Sequence, residues 1–411
     1  MKRSHRLWAL VVVALCCRVW WLQWPSFGAG DSVEYLRLAE QLQHNHLYSD
    51  DGRVPSSYRP PLYPAVIAAI GALTGHPVGG VLILQVLLGV ASVVLTYLIA
   101  EAMWGSAPAS LAALMLAVAP MTGRYAAVVL TETLFTFLLV AAVWCWTRER
   151  YAVAGALLGL ATLARASSLP FVLALGGAAL IPVRGVPRRQ LLIAAAAALL
   201  TIAPWVLRNS IEIGRPVIAD AGWGVNLLHG TVDLSRGSNR FTQLAAVFQN
   251  PTGEAPVPVY ELERRNREQA IDWIRAHPLE WLRIRMRQWP WLFIDSGDYL
   301  PVAANRYAFR QAWQEGRLTT VALKAGFVLA NVIVMLLAIA AAWMARADWK
   351  RLAPLWSFPI YLAVAHLPMY VEPRYGLPLV PFIVMFAARG AEPLIQRVRQ
   401  PRMLMALRGA A

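Results

Sequence analysis

The chain has 411 residues, of which 58% are hydrophobic and 15% are charged, and its formal net charge is +15 at pH 7. A soluble domain carries about 25% charged residues, so this composition excludes a soluble globular protein and indicates a membrane protein. The basic residues lie between apolar runs, where they orient helices and contact anionic lipid. We therefore predict membrane lipids, and no nucleic acid, as partners.

The N-terminal segment combines a basic start with an apolar run from Leu7 to Leu22. No small-residue cleavage site follows, and the run ends in tryptophans that are typical of a membrane interface. We interpret it as an uncleaved first helix. Its Arg18 is expected to reach the outer interface.

Ten apolar runs predict about ten transmembrane helices, since one span needs roughly 20 mostly apolar residues. The predicted spans are 7–24, 77–103, 106–121, 126–147, 151–166, 168–183, 189–207, 319–345, 353–370 and 376–391. The fold class predicted is therefore an all-α polytopic membrane protein. Several of the runs are short, so two of them could merge or tilt.

The short basic loops fall on alternate connections, which the positive-inside rule assigns to the cytoplasm. The expected location is the cell membrane, with both termini cytoplasmic. Three regions follow: a transmembrane region 1–207 whose first outer loop is 25–76, an extracytoplasmic region 208–318, and a transmembrane region with a basic tail 319–411. In the outer region, amphipathic helices are predicted from Glu261 to Trp289, with a break at Pro278.

Two short helices are predicted in the first outer loop. Residues 58–74 are too short and too proline-rich for a confident span, so we predict a juxtamembrane helix whose start is fixed by Pro60 and Pro61. The stretch from Ser32 to Leu42 reads as a helix, for which Asp31 is the expected N-cap.

Charged residues that would be costly inside a bilayer gather at the predicted outer boundary. These are Asp31, Glu34, Arg59, Arg124, Glu132, Arg165, Glu372 and Arg374. Acids and arginines from distant stretches thus meet at one depth. That combination indicates a site for an anionic substrate with a catalytic acid or base.

Sugar transfer from a lipid phosphate would use both kinds of residue. A carboxylate can take the proton from an acceptor hydroxyl as it attacks the anomeric carbon. Arginine forks suit the oxygens of a phosphate leaving group. One in-line displacement would invert the anomeric centre.

A series of segments resembles the protein O-mannosyltransferase and aminoarabinose-transferase-like glycosyltransferases of the GT-C superfamily. The segments occur in family order over residues 28–385 and are GAGDSVEYLRLAEQL, SYRPPLYPAVIA, VLTETLFTF, GLATLARASSLPF, APWVLRNSIEIGRP, AIDWIRAHPLEWLRIRMRQW and EPRYGLPLVPF. The resemblance implies a GT-C-like helical bundle. It also implies a glycosyltransferase that uses a polyprenyl-phosphate-linked sugar on the extracytoplasmic side.

The resemblance also implies roles for the acidic residues. Asp31 matches the family's catalytic base, and Glu132 matches its second acidic position. Ser32 stands where the family often has Glu, so the site lacks one carboxylate unless Glu34 compensates.

The implied substrate-binding residues are mostly basic. Arg59 and Arg374 match positions that hold the lipid phosphate, and Tyr35 matches an aromatic residue near the base. Arg165 and Tyr58 are further candidates for substrate binding. No metal or cofactor is demanded by the motifs, although Asp31 with Glu132 could hold a divalent ion.

Structural readings of the same residues remain open. Asp31 and Glu34 could cap or solvate a helix start, and Glu132 could serve as a helix-dipole partner. Arg59 could snorkel to the interface, and Arg165 could be an interfacial anchor. His366 is expected to be packed and hydrogen-bonded rather than catalytic.

Three rival functions remain at this stage. The first is a lipid or glycan flippase or transporter, in which charges mark a permeation path. The second is a glycan polymerase or ligase that uses a pyrophosphate carrier, and the third is an inactive lipid-binding relative. The acceptor is left open between lipid, glycan and protein.

Overall fold

A computed structural model describes residues 3–27, 30–181, 187–219, 222–232, 259–294 and 312–408. The regular secondary structure within these ranges is helical. Extended pairing within them is confined to two isolated bridges, Ser26 with Val128 and Ser49 with Pro55. The all-α class predicted from the sequence is therefore confirmed.

The N-terminal half contains ten α-helices within the described ranges. They are α1 (Arg3–Trp21), α2 (Asp31–Asn45), α3 (Leu62–Thr74), α4 (Pro77–Trp104), α5 (Ser106–Val118), α6 (Pro120–Ala126), α7 (Glu132–Thr147), α8 (Tyr151–Ala164), α9 (Leu169–Leu180) and α10 (Arg188–Glu212). The predicted juxtamembrane helix corresponds to α3, which Pro61 precedes as the N-cap residue.

The C-terminal half of the described chain contributes six further α-helices. They are α11 (Trp223–His229), α12 (Val259–Ala276), α13 (Pro278–Gln288), α14 (Leu318–Met344), α15 (Ala353–Ala365) and α16 (Val380–Arg408). The predicted break at Pro278 separates α12 from α13, since proline is well suited to the first turn of a helix. A 3-10 helix, Pro373–Leu379, leads directly into α16.

Each predicted span coincides with a helix of the described chain, but the helices differ in length. Four stretches are long and apolar enough to cross a membrane: Pro77–Trp104, Arg188–Glu212, Leu318–Met344 and Pro373–Ile395. A fifth arises if α5 and α6, bent by 53°, form one span. The number of ten spans therefore stays a prediction.

Close helix packing brings α8 against α10. A Cβ added at Gly155 would lie 2.1 Å from the carbonyl oxygen of Ala194, so the backbones approach too closely for any side chain. This packing places the end of α8, with Arg165 directly after it, beside α10.

The apolar interior of the described chain forms two main clusters. The first, which we call the site core, is rich in aromatic residues and includes Tyr63, Phe135, Phe171 and Phe358. The second, the alanine core, joins α1, α4, α5 and α16 largely through small side chains, among them Ala14, Ala100, Ala113 and Ala387. The functional residues described below border the site core.

Arg18 lies inside the protein and not at the interface, so its predicted snorkelling is wrong. It is 1% exposed and donates hydrogen bonds to the carbonyl oxygens of Ala14 and Ala117 and to the hydroxyl of Thr122. Gly89 leaves the space that the guanidinium occupies. The physical reason is the bend between α5 and α6, because carbonyls at a helix end lack intrahelical partners.

Candidate active site

The carboxylate of Asp31 is held by two arginines from distant parts of the chain. Its Oδ1 lies 2.7 Å from Nη2 of Arg59, and its Oδ2 lies 3.2 Å from Nη1 of Arg374. Asp31 is the first residue of α2 and not its N-cap, which is Gly30, and no side chain caps this helix. The capping role expected for Asp31 is therefore wrong, because both carboxylate oxygens face cations from other elements.

Arg59 connects Asp31 to Glu34. Its Nε donates a 2.7 Å hydrogen bond to Oε2 of Glu34, and its guanidinium lies 5.0 Å from the ring centre of Tyr58 and 5.5 Å from that of Tyr35. Glu34 lies one turn after Asp31, so both acids of α2 point to the same arginine. Glu34 is thus neither a cap nor a purely solvated residue.

Arg374 belongs to the 3-10 helix and has a carboxylate neighbour of its own. Its Nε lies 2.5 Å from Oε2 of Glu372, a contact that is an ion pair without hydrogen-bond geometry. The hydroxyl of Tyr370 donates to the other oxygen of Glu372 at 3.1 Å. The Arg374 guanidinium also lies 5.3 Å from the ring centre of Tyr375.

A second ion pair joins Glu132 and Arg165. Oε1 of Glu132 lies 2.8 Å from Nη1 of Arg165, while the buried Oε2 has no hydrogen-bond partner within the described residues. Glu132 is 2% exposed and starts α7, so the helix dipole favours its charge as well. The Arg165 guanidinium lies 5.5 Å from the ring centre of Tyr375.

These residues border a cavity of about 970 Å³. Five predicted site residues line it: Asp31, Tyr35, Arg59, Glu132 and Arg165. One wall is apolar and comes from α9 and α10. Its side chains include Leu169, Leu199, Ile202, Ala203 and Val206. The cavity thus places fixed charges beside a hydrophobic surface.

Three predicted site residues are outside the lining: Glu34, Tyr58 and Arg374. Glu34 and Tyr58 contact Arg59, and Arg374 contacts Asp31. Each of the three therefore contacts a lining residue without lining the cavity itself. Arg124, a boundary charge in the sequence, is also absent from the lining and donates to the carbonyl of Trp24.

Sequence reasoning missed other lining residues. They are Trp223, Asn226, Tyr370 and Tyr375, together with His366, which was expected to be only packed. His366 is hydrogen-bonded through Nδ1 to the carbonyl of Leu362, as that expectation required, yet it also faces the cavity. Of these lining residues, only Tyr375 could have been suspected from the sequence, because it directly follows the candidate Arg374.

The charges set the protonation of the first-loop acids. Burial alone would raise the pKa of Asp31, but the guanidinium groups of Arg59, Arg374 and Arg165 outweigh it and hold the pKa below its usual range. Burial raises the pKa of Glu34, although Arg59 opposes it. Burial also raises the pKa of Tyr58 to about 12. Asp31 is therefore ionised at neutral pH.

Within the described residues, no group of three or more His, Cys, Asp or Glu side chains could hold a metal ion. The cavity's acids are engaged by arginines instead. Chemically, the arrangement offers one carboxylate that can accept a proton and guanidinium groups that can bind an anion.

Residues 58–207 match the family model of the dolichyl-phosphate-mannose-protein mannosyltransferases. The matched region contains Arg59, Glu132 and Arg165, while Asp31 and Arg374 lie outside it. Among curated proteins, none matches the chain in sequence. The family match confirms the resemblance that the sequence motifs indicated.

Solved structures of similar fold include archaeal oligosaccharyltransferases. One is the archaeal oligosaccharyltransferase AglB from Archaeoglobus fulgidus, in complex with an inhibitory peptide and a dolichol-phosphate. Its sequence is 12% identical to this chain, and the match covers 99% of this chain and 52% of AglB, with a TM-score of 0.56. Another is the apo form of the Archaeoglobus fulgidus oligosaccharyltransferase, which is 15% identical. That match covers 100% of this chain and 53% of the oligosaccharyltransferase, with a TM-score of 0.54. This chain thus spans about half the length of both proteins.

ArnT from Cupriavidus metallidurans, bound to undecaprenyl phosphate, is also 15% identical. The match covers 95% of this chain and 78% of ArnT, with a TM-score of 0.43. The matches with TM-scores of 0.56 and 0.54 show that this chain has the fold of these oligosaccharyltransferases. More particularly, residues 58–207 are similar to the protein mannosyltransferases.

Proposed function

We propose that this chain transfers a sugar from a polyprenyl phosphate donor to an acceptor hydroxyl, with inversion, and that Asp31 is the base. The observation that carries the proposal is the cavity itself. It combines an ionised carboxylate, two arginines and an apolar wall within one space of about 970 Å³. A lipid-linked sugar phosphate requires each of these surfaces.

The neighbouring surfaces of the cavity support a polyprenyl phosphate as the donor. Arg59 and Arg165 both line it and can offer guanidinium groups to phosphate oxygens. The wall from α9 and α10 offers apolar contact for the prenyl chain beside that charge. The matching family is described by its dolichyl-phosphate-linked donor, and the AglB structure contains a dolichol-phosphate, which supports the same donor chemistry here.

The transfer would proceed as one displacement at the anomeric carbon. The acceptor oxygen forms a bond to that carbon while the bond from carbon to the phosphate oxygen breaks, and the bonding electrons leave with the lipid phosphate. Oδ1 of Asp31 takes the proton of the attacking hydroxyl. The arginines stabilise the charge that develops on the leaving phosphate.

Arg59 must change partner for this reaction. Its Nη2 lies 2.7 Å from Oδ1 of Asp31, the oxygen that would take the proton of the acceptor hydroxyl, and competes with that hydroxyl for it. A donor phosphate competes with the carboxylate of Asp31 for the guanidinium of Arg59. The hydrogen bond from Nε of Arg59 to Glu34 is retained during this exchange. Donor binding therefore prepares the base, and we expect the donor to bind before the acceptor.

We also propose that the cavity opens on the extracytoplasmic face of the cell membrane, because the basic loops alternate in the way the positive-inside rule requires. A single thiol in place of the exposed Arg265 of α12, in a variant without the three native cysteines, tests this orientation. Impermeant reagents should label it from outside intact cells. Labelling only after the cytoplasmic side is exposed would reverse the assignment.

The transfer itself is tested with the full chain reconstituted in vesicles and supplied with a panel of polyprenyl-phosphate-linked sugars and hydroxyl acceptors. We expect release of polyprenyl phosphate together with a glycoside of inverted configuration. Turnover only with pyrophosphate-linked donors would favour the polymerase or ligase reading. Movement of lipid across the vesicle without a glycoside product would favour a flippase.

A further inference from the structure

The ion pairs on the two oxygens of Asp31 are not equivalent. Oδ1 is held by Arg59, which lines the cavity, whereas Oδ2 is held by Arg374, which is absent from the lining. Oδ1 therefore belongs to the substrate side of the carboxylate, and Oδ2 belongs to the protein side. Only a fixed contact on the protein side would keep that orientation once Arg59 has left.

Arg374 is itself held from behind. Its Nε is paired with Oε2 of Glu372 at 2.5 Å, and Oε1 of Glu372 accepts a 3.1 Å hydrogen bond from the hydroxyl of Tyr370. We call Tyr370, Glu372 and Arg374 the Glu372 relay. It ends on Oδ2 of Asp31.

The outer helices fix the start of the relay. The backbone N–H of Tyr370 donates to the carbonyl of Asn226 in α11 at 2.9 Å, and the fully buried Arg285 of α13 donates to the carbonyl of Met369. Gln288, which accepts a hydrogen bond from Arg285, donates in turn to the carbonyl of Val232 at 2.9 Å. The loop that carries Glu372 is thus tied to two helices of the outer region.

We propose that Glu372 is a positioning residue for the transfer: it holds Arg374 against Oδ2 of Asp31, so that Oδ1 points into the cavity. The proposal rests on the function proposed above. Glu372 touches neither reacting atom, and its effect passes through Arg374 to the base. Because catalysis depends on the orientation of the base, its loss should lower the rate more than it weakens donor binding.

The test uses Glu372→Gln, Arg374→Gln and the double variant in the reconstituted full chain. We expect each single variant to lower kcat by on the order of 10- to 100-fold, with little change in the donor KM. The double variant should be no slower than Arg374→Gln alone, because both changes break the same relay. The matched control is Glu212→Gln, since Glu212 pairs with Arg208 at 2.7 Å outside the cavity lining and should leave kcat unchanged.

A binding measurement without turnover separates this proposal from the proposed function. Sugar-free polyprenyl phosphate should bind wild type, Glu372→Gln and Arg374→Gln alike, and should bind Arg59→Ala weakly. If wild type binds but Arg374→Gln and Glu372→Gln lose binding as Arg59→Ala does, Arg374 is a phosphate ligand and the relay is overturned. If wild type itself does not bind the lipid, the proposed function fails, and the relay fails with it. An unchanged kcat in Glu372→Gln would also overturn the relay.

Discussion

Arg18 in the first helix and Arg59 in the first loop are both guanidinium groups drawn out of water, but they have different partners. Arg18 is fully buried and binds two backbone carbonyls and one hydroxyl, and none of its described partners is a carboxylate. Arg59 is half-buried at the cavity wall and binds the carboxylates of Asp31 and Glu34. The first arrangement fills a structural need, and the second leaves the arginine able to exchange one anion for another.

The difference shows how to separate a structural arginine from a ligand-binding one. A backbone carbonyl belongs to a helix and has no competitor in the substrate, so the contacts of Arg18 stay the same through a reaction cycle. A carboxylate has the same charge as a phosphate and can be displaced by it. Variants of the two regions should therefore change different measured quantities.

The largest effect is expected from Asp31→Asn. Asparagine keeps the shape of the side chain but is unable to accept the proton, so transfer should fall by roughly 10²–10⁴-fold, the usual contribution of a general base. The rate of glycoside formation, measured beside the thermal stability of the variant, checks this expectation.

The matched control for that experiment is Asp51→Asn in the same loop. Asp51 accepts hydrogen bonds from the backbone N–H groups of Arg53 and Val54 and is absent from the cavity lining. It should transfer at the wild-type rate. An Asp31→Asn protein that keeps most of its activity would remove Asp31 from the mechanism.

Arg59→Ala should weaken donor binding. One charge-assisted hydrogen bond contributes roughly 1.5–3 kcal/mol, which corresponds to about a 10- to 150-fold higher dissociation constant for the lipid phosphate. Arg59→Lys should recover only part of the affinity, because lysine lacks the planar fork. Normal donor affinity in the alanine variant would contradict the assignment of Arg59 as phosphate ligand.

Arg18→Met should destabilise the fold without touching the transfer step. It leaves the carbonyl of Ala117 in the α5–α6 bend without this donor, and an unsatisfied buried polar group costs about 1–3 kcal/mol. Thermal unfolding in detergent and kcat per folded molecule are the two measurements. Arg3→Met, which breaks the more exposed pair with Glu101, is the control and should be nearly neutral. A loss of kcat in Arg18→Met would place Arg18 with the site residues.

The smallest effect concerns the pH profile. Arg59, Arg165 and Arg374 face Asp31, as do Glu34 and Tyr35, and the cations hold its pKa below the ordinary value. The acid limb of kcat/KM, which reports the free enzyme, should thus lie at lower pH than an ordinary aspartate would give. Arg374→Gln removes one cation, which raises the pKa of Asp31 and moves the limb to higher pH. An unmoved limb would show that another group titrates.

Local features of the chain were predictable because they depend on short stretches of sequence. The apolar runs predicted the helices from α4 to α10 and from α14 to α16, and the prolines fixed the start of α3 and the break before α13. The charged residues that border the cavity were predictable as a set, because charges at a membrane boundary are expensive and therefore few. Asp31, Arg59, Glu132 and Arg165 do line one cavity.

Pairings and depths were not predictable in the same way. Asp31 was expected to cap its own helix, but arginines from the first loop and from the C-terminal 3-10 helix take both of its carboxylate oxygens. Arg18 was expected at the interface, but the bent helix pair α5–α6 supplies carbonyls that hold it inside.

By itself, then, the sequence determined the membrane class, the helical segments and the small group of charges at the predicted membrane boundary, since each follows from the free energy of placing a residue in or out of lipid. Only the tertiary structure decided which arginine pairs with which carboxylate. It also decided which oxygen of each carboxylate faces the cavity. Those contacts join residues such as Asp31 and Arg374 from opposite ends of the chain. Their energy depends on distances and burial that arise only when the helices pack.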